Sequence, residues 1–423
     1  MRILYFHQYF KTPEGTGGTR SYEMAKHFVE NGHQVTMVYV DTEEKKSVLS
    51  IPFVNGLRRG KYEGIDLIEF DLSYSNKLNF FQRTKIFIDY SFRSVKLVFK
   101  EDYDIVFATS TPLTAGIPGI VMKMFGKKKP FVFEVRDLWP ELPREMGVIK
   151  NRLVLWLMSV LESISYNKAD ACVALSPGIA VGIKRRLKSK KPIYMIPNGC
   201  DLNLFKPGIM PKSIIPGVAE DQLVAVFTGS HGFANGLDNA LDAAAELIKT
   251  DFVDKIKLVF IGDGMMKERL IVRAQKDNLT NCIFLDPVRK KDLNKILQAS
   301  DVGLMLLANV PAFYYGTSPN KFFDYISIGL PVVNNYPGWL AEMINAFDCG
   351  IAIEPTNAKL FAEALVYLYE NKTRISEMGK NSRKLAESKF DRKNLAEELL
   401  KALMITVESY SQPVKGILIR EQN

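Results

Sequence analysis

"SPNKFFDYISIGLPVV", residues 318 to 333, contains a helix start, a helix stop and a strand in immediate succession. Ser318 is placed to cap the helix, and Pro319 suits the first helical position because its missing N–H would have no partner there. The helix is predicted to end before Gly329, and the apolar Leu330-Pro331-Val332-Val333 then reads as a strand. A helix that feeds straight into an apolar strand is one step of an alternating β/α chain, which builds parallel sheets.

The same alternation runs outward from this stretch in both directions. In the first half, strands are expected at Arg2–His7, Gln34–Val40, Asp104–Thr109, Pro130–Val135, Ala169–Leu175 and Pro192–Ile196. In the second they are expected at Leu223–Thr228, Lys257–Ile261, Asn281–Leu285, Asp301–Leu307, Leu330–Asn334 and Gly350–Ile353. The chain is therefore read as α/β, with two doubly wound domains at 1–200 and 223–390. A Pro/Gly-rich linker at 201–222 joins them, running from Pro207-Gly208 to Pro216-Gly217. Helices near Arg374–Lys389 and Arg392–Ser411 close the chain, the segment 391–423 returning to the first domain. Ligands of such sheets bind beyond the carboxyl ends of the strands, so the site is expected in the cleft between the domains.

Bulk properties narrow the function classes. The chain has 423 residues, 47% hydrophobic and 24% charged, enough for two cores. Cys172, Cys200, Cys282 and Cys349 are scattered with no CxxC pair, which argues against a disulfide framework or a zinc site. Met1–Phe6 reads as a strand and not as a signal segment, and the apolar run Leu153–Leu161 is too short to span a bilayer. The formal charge of +9 points to an anionic partner, whether nucleic acid, phosphates or an acidic membrane surface. No nucleic-acid-binding motif accompanies it, so nucleic acid is not expected.

Several loops carry the chemistry. At the 318–324 turn, the amides of Asn320 and Lys321 would face outward, Lys321 adds a mobile cation, and Asp324 could accept from ribose hydroxyls. An ordinary capped helix, with Asp324 merely favouring the dipole, reads equally well from these residues alone. "FHQYFKTPEGTGGTR", residues 6 to 20, follows the first strand and sets Gly17-Gly18 before a helix, where glycine lets amides approach a phosphate or sugar. Arg20 in that helix could steady a phosphate or simply be solvated. "EVRDLWPE", residues 134 to 141, places Glu134, Arg136 and Asp137 at a strand's carboxyl end; a buried Glu–Arg pair is the structural alternative. "FTGSHGFANGLD" (227–238) supplies Gly229, His231 and Gly232, and "FIGDGMMKERL" (260–270) supplies Gly262 and Gly264. The first unit lacks the G-x-G-x-x-G of a dinucleotide fold, which argues against a nicotinamide enzyme. Asp102-Tyr103-Asp104 looks like a metal-binding D-x-D, but it immediately precedes a buried strand and reads as a surface turn.

Together these motifs resemble, in order and over nearly the whole chain, the family 4 retaining glycosyltransferases of GT-B fold. Asp324 falls where that family's ribose-binding glutamate stands, and Gly316 falls where its partner glutamate stands. The amides of Asn320 and Lys321 map to the diphosphate, and Val288 in "DPVRKKDL" maps to the residue beside the base. His231 and Asn235 replace the family's usual Arg and Lys, leaving Lys321 as the charge partner. Arg136-Asp137 replaces the commoner His-Asp, and "IPNGCD" (196–201) resembles the family's hinge. The Ser-Pro-Asn-Lys variant resembles the WbuB-like subgroup that builds bacterial surface polysaccharides.

The resemblance implies transfer, with retention, from a UDP-sugar of an N-acetylated amino or deoxy sugar. The acceptor would be polyprenyl-diphosphate-linked or a polysaccharide, and no metal or other cofactor is required. Lys321, Arg136 and Asp137 would be catalytic, with Asp137 the acceptor-facing acid or base and Lys321 also a donor ligand. Gly17, Gly18, Gly229, His231, Gly264, Val288, Ser318, Asn320 and Asp324 would hold the donor, and Arg20 and Glu134 the acceptor. A UDP-sugar 2-epimerase or a silent sugar-nucleotide-binding subunit remains open.

Residues 77 to 100, "KLNFFQRTKIFIDYSFRSVKLVFK", hold six basic residues, six aromatics and one acid. Ile88, Phe92, Val95 and Phe99 form a stripe expected to pack on the domain's own sheet. Lys85, Arg93, Lys96 and Lys100 form a second stripe, extended by Lys123 and Lys127-Lys128-Lys129, that suits anionic lipid. The expected location is cytoplasmic, peripheral on the inner face of the cell membrane.

Overall fold

The computed structural model describes residues 1–15, 17–41, 47–74, 78 and 80–411. The first domain is built on β1 (Arg2–Phe6), β2 (Gln34–Asp41), β3 (Leu57–Tyr62), β4 (Ile65–Ser73), β5 (Ile105–Thr109), β6 (Phe131–Val135), β7 (Ala171–Ala174) and β8 (Ile193–Met195). They form one sheet in the order β3-β4-β2-β1-β5-β6-β7-β8. The second is built on β9 (Leu223–Thr228), β10 (Ile256–Ile261), β11 (Cys282–Leu285), β12 (Val302–Met305), β13 (Val332–Asn334) and β14 (Gly350–Ala352), in the order β11-β10-β9-β12-β13-β14. Helices cover both faces of each sheet, and separate apolar clusters fill each interface between helices and sheet.

The sequence reading omitted β3 and β4, which pair antiparallel at the sheet edge. Their signal is faint because β3 carries Arg58, Arg59 and Lys61, as edge strands commonly do. The connecting Glu63-Gly64 pair has φ of 45° and 83°, the left-handed values of a tight hairpin turn. Asp102 and Asp104 both engage Arg2, and Asp104 also accepts from the Arg2 amide at 2.7 Å, so this motif fastens the first strand.

The chain recrosses between domains at one point. Cys200 donates its amide to the Phe390 carbonyl at 2.6 Å, and Arg392 donates through Nη2 to the Gly199 carbonyl at 2.6 Å. Beyond it the Arg392–Ser411 helix packs Leu395, Leu399 and Leu403 into the cluster that holds Tyr5 and Phe28 of the first domain.

The Phe80–Lys100 helix corrects an expectation. Its buried side is Tyr90, Ser94, Leu97 and Val98, while Ile88, Phe92 and Phe99 are exposed. Two serines draw the helix close: Ser91 donates to carbonyls on both sides, and Ser94 is fully buried. Tyr90 then reaches the Val38 carbonyl at 2.9 Å. Apolarity alone therefore selected the wrong face. Among the described residues no helix is long and apolar enough to cross a membrane.

Candidate active site

The two sheets point their carboxyl edges toward each other, and a cavity of about 460 Å³ lies between them. Its floor is the start of the Asn320–Ile328 helix. That helix begins one position later than the sequence implied. Pro319 occupies the cap position with no side-chain cap bond, and Ser318 is turned away to the other domain. The Ser318 hydroxyl accepts from the Asn198 amide at 3.0 Å, and its carbonyl accepts from Asn198 Nδ2 at 2.6 Å. Ser318 is thus a latch between domains and not a cap. The amides of Asn320 and Lys321 open the helix and, by position, have no intrahelical acceptor. Gly329 ends it at φ 82°, with the Leu330 amide bonded back to the Tyr325 carbonyl.

Lys321 is the distinctive group. Its Nζ donates to Asn235 Oδ1 at 2.5 Å and sits 4.2 Å from the centre of the Phe227 ring. Asn235 is itself aimed by donating Nδ2 to the Ser230 carbonyl at 2.6 Å. Burial without a carboxylate partner lowers the Lys321 pKa to about 7. Deeper in the same wall, Asp324 is 5% exposed and Lys290 8%. Lys290 Nζ lies 3.7 Å from Asp324 Oδ1, close enough to pair but too far to hydrogen-bond, and neither atom has another hydrogen-bond partner among the described residues. Burial raises the Asp324 pKa, an effect that Lys290 opposes.

Glycines make the roof possible. Gly262, at φ 151°, lies so close to the Gly229 carbonyl that a Cβ would sit 1.8 Å from its oxygen. The two loops after β9 and β10 can therefore nest backbone on backbone. Gly18 brings the first domain over the cavity: a Cβ there would lie 2.8 Å from Asn320 Nδ2. Gly17, Gly18, Gly229, Val288, Asn320, Lys321 and Asp324 all line this one cavity.

Other sequence candidates lie elsewhere. His231 is fully buried between the Phe227 and Phe284 rings, at centroid distances of 6.0 and 6.2 Å, and does not line the cavity. Burial takes its pKa down to about 4. Gly264 supports the loop from behind, a Cβ there meeting the His231 backbone at 2.7 Å. Arg20 and Glu134 form a buried ion pair at 2.8 Å, and Arg20 also donates to the Pro197 and Ile196 carbonyls. The pair is the structural alternative offered by the sequence, and it braces the start of the hinge. Burial opposes ionisation of Glu134, yet Arg20 beside it holds the carboxyl below its ordinary pKa.

Arg136 and Asp137 directly follow the carboxyl end of β6 and do not line the cavity. Arg136 Nη1 donates to His7 Nε2 at 3.0 Å, which fixes His7 as a neutral imidazole with its proton on Nδ1. Burial, reinforced by Arg136, lowers the His7 pKa further. Asp137 accepts from the Thr111 hydroxyl at 3.1 Å, and burial raises its pKa.

Two family models match the chain, one to each domain: Glycosyltransferase Family 4 over residues 17–204 and Glycosyl transferases group 1 over residues 212–385. The chain is a GT-B glycosyltransferase. An Escherichia coli relative, UDP-Gal:alpha-D-GlcNAc-diphosphoundecaprenol alpha-1,3-galactosyltransferase, is 28% identical over 303 residues, covering 68% of this transferase and 72% of the relative. The sucrose-phosphate synthase of Thermosynechococcus elongatus superposes with a TM-score of 0.75 at 15% identity, over 96% of this chain and 99% of that one. HepE of Anabaena in complex with UDP-glucose gives a TM-score of 0.68 at 16% identity, over 96% and 100% of the two chains.

Within the transferase, sequence reasoning passed over Lys11, Thr228, Ser230, Asp263 and Lys290, all of which line the cavity; Gly262, picked out with Gly264 as a loop glycine, lines it too. Lys290 had a usable signal, since "DPVRKKDL" was already placed at the site. Its neighbours Arg289 and Lys291 look identical in sequence, and only the turn into the Lys290–Gln298 helix decides which one points inward.

Proposed function

We propose that this glycosyltransferase moves a sugar from a UDP-sugar to a lipid-linked or surface-polysaccharide acceptor with retention of configuration, as in the WbuB-like subgroup. One observation carries the reading: a desolvated lysine beside two free helix-terminal amides, at the bottom of a cavity closed by glycine loops. A diphosphate supplies the charge that this environment lacks. Lys321 and the amides of Asn320 and Lys321 hold it, Gly17, Gly18 and Gly229 permit close approach, and Val288 borders the base. The ribose hydroxyls bridge Asp324 and Lys290, satisfying both orphaned atoms.

Positive charge fixed beside the departing diphosphate stabilises the transition state without reorganisation. That charge comes from protein groups, so no metal is required. The acceptor enters from the first domain, where Asp137, with its raised pKa, takes the acceptor proton while Arg136 and His7 hold the floor. Attack occurs on the same face as the leaving group. At Gly316 an added Cβ meets nothing within 4 Å, leaving open space for the bulk of an N-acetylated amino or deoxy sugar.

Screening UDP-sugars for UDP release with and without a polyprenyl-diphosphate-linked acceptor tests the reading. Acceptor-dependent release, unchanged by EDTA, is expected, and the product keeps the donor's anomeric configuration. Turnover of donor alone, no release from any donor, or an inverted product would overturn it.

A further inference from the structure

We infer that Lys11, in the loop between β1 and the Arg20–Glu30 helix, is a second cation for the donor's diphosphate, so that each domain contributes one lysine to the leaving group. The inference rests on the reading of the cavity as the diphosphate site. Lys11 and Lys321 line that cavity from opposite domains, and their surroundings are alike. Lys321 lies under Gly229, at φ 138°, with Cε 3.4 Å and Nζ 3.8 Å from the point where a Cβ would stand. Lys11 lies against Gly17, at φ 111°, with Cδ 3.5 Å and Nζ 3.6 Å from the corresponding point. Both φ values suit glycine, and each loop bends so that a lysine stem runs along bare backbone. The next residue, Gly18, brings the Lys11 loop onto the helix start, its Cβ position lying 2.8 Å from Asn320 Nδ2. Lys11 is thus carried by the loop that closes over the helix amides.

The balance of charge requires a second cation from this side. The charged residues lining the cavity are Lys11, Lys290, Lys321, Asp263 and Asp324. Lys290 faces Asp324 at 3.7 Å, and Asp263 turns back on its own loop, accepting from the Gly264 amide at 2.8 Å. Lys11 and Lys321 therefore make up the positive excess, and a diphosphate, with more than one negative charge, matches a pair of cations better than one. The loop after β9 has no cation to offer: His231 is sealed between two rings and Asn235 is neutral. The second charge crosses from the first domain instead. As the bond from the sugar's anomeric carbon to the β-phosphate oxygen breaks, its electron pair passes to that oxygen, and both ammonium groups stabilise the charge that develops. Because they belong to different domains, stabilisation is complete only while the domains are closed over the donor.

Ligands of graded charge test the assignment. Uridine, UMP and UDP are titrated calorimetrically into the full-length wild type, Lys11→Met and Lys11→Arg. Methionine keeps an apolar stem along Gly17 and removes the charge, so the melting temperature should stay that of the wild type. Lys11→Met should lose roughly ten- to hundredfold in UDP affinity with uridine binding unchanged, and at least about tenfold in kcat for acceptor-dependent UDP release. Lys11→Arg keeps the charge and should recover most of both. A Met variant that binds UDP and turns over like the wild type would overturn the inference, as would an equal loss for uridine and UDP, the mark of a structural role. The two levels of the argument separate cleanly. A wild type that binds uridine as tightly as UDP sinks the diphosphate reading and this inference with it. A preference for UDP that Lys321→Gln abolishes and Lys11→Met leaves intact sinks the inference alone.

Discussion

Lys321 gives the sharpest test of the site, because its environment predicts a pH dependence opposite to that of stability. With its pKa lowered to about 7 by burial, the free enzyme holds this lysine half protonated at neutral pH. A bound diphosphate adds two negative charges beside Nζ and returns the pKa toward its ordinary 10.5. Binding then takes up a proton, and UDP affinity falls as pH rises through 7. For these two values the apparent Kd at pH 9 exceeds that at pH 7 by roughly fiftyfold, about 2.3 kcal/mol. The UDP phosphates are already ionised above pH 7, so the ligand contributes little over this range. Stability of the unliganded protein moves the other way: the unfolded chain holds this proton between pH 7 and 10.5 and the folded chain does not, so unfolding becomes harder as pH rises. Calorimetric titration of UDP at pH 7, 8 and 9, in buffers of different ionisation enthalpy, measures both affinity and proton uptake. Lys321→Gln should bind weakly at every pH, with a flat profile and no proton uptake. A wild-type Kd constant within threefold over this range, or a Gln variant retaining the slope, would refute the assignment of the diphosphate to Lys321.

Four further outcomes follow from the same geometry. Lys321→Ala should lose at least about tenfold in kcat/KM, some 1.4 kcal/mol, in assays of UDP release. Asp137→Asn should cut kcat by roughly 10²- to 10⁴-fold with little change in donor KM, and should remove the lower limb of the pH–rate profile. Gly18→Ala forces a Cβ to within 2.8 Å of Asn320 Nδ2, so the loop or the Asn320 side chain must shift, and it should weaken UDP binding in calorimetric titration. Arg20→Met strands Glu134 in the interior and should destabilise the fold by about 3–5 kcal/mol, read from denaturant unfolding. Unchanged stability there would mean that Glu134 is neutral in the native state.

Much of the architecture was legible because a parallel sheet writes itself as apolar runs separated by helices, and every parallel strand but β4, which pairs with β2, was placed from such runs. The β3–β4 pair was missed because charge breaks up its apolar pattern: β3 carries Arg58, Arg59 and Lys61, and the mostly buried β4 is interrupted by Asp66, Glu69 and Asp71. The Phe80–Lys100 helix shows a subtler failure. It has two apolar stripes, and sequence offers no way to know that the one containing serines is the one that packs. Pattern reading finds apolarity; it cannot say what covers it.

The site divides in the same way. Glycines and the helix stop were readable because backbone geometry demands particular residues, as at Gly262 and Gly329. Side-chain roles were not, because they depend on depth. Arg20 and Glu134 sit in segments that border the cleft, and the structure buries them as a pair that braces Ile196 and Pro197. His231 is buried likewise, and its place in the charge economy passes to Asn235. That residue cannot carry charge itself, but its carbonyl oxygen holds Lys321 where two helix amides converge. On the proposed reading, a single lysine held by a neutral partner is a different solution from a fixed pair of cations: it would tie donor capture to proton uptake at neutral pH.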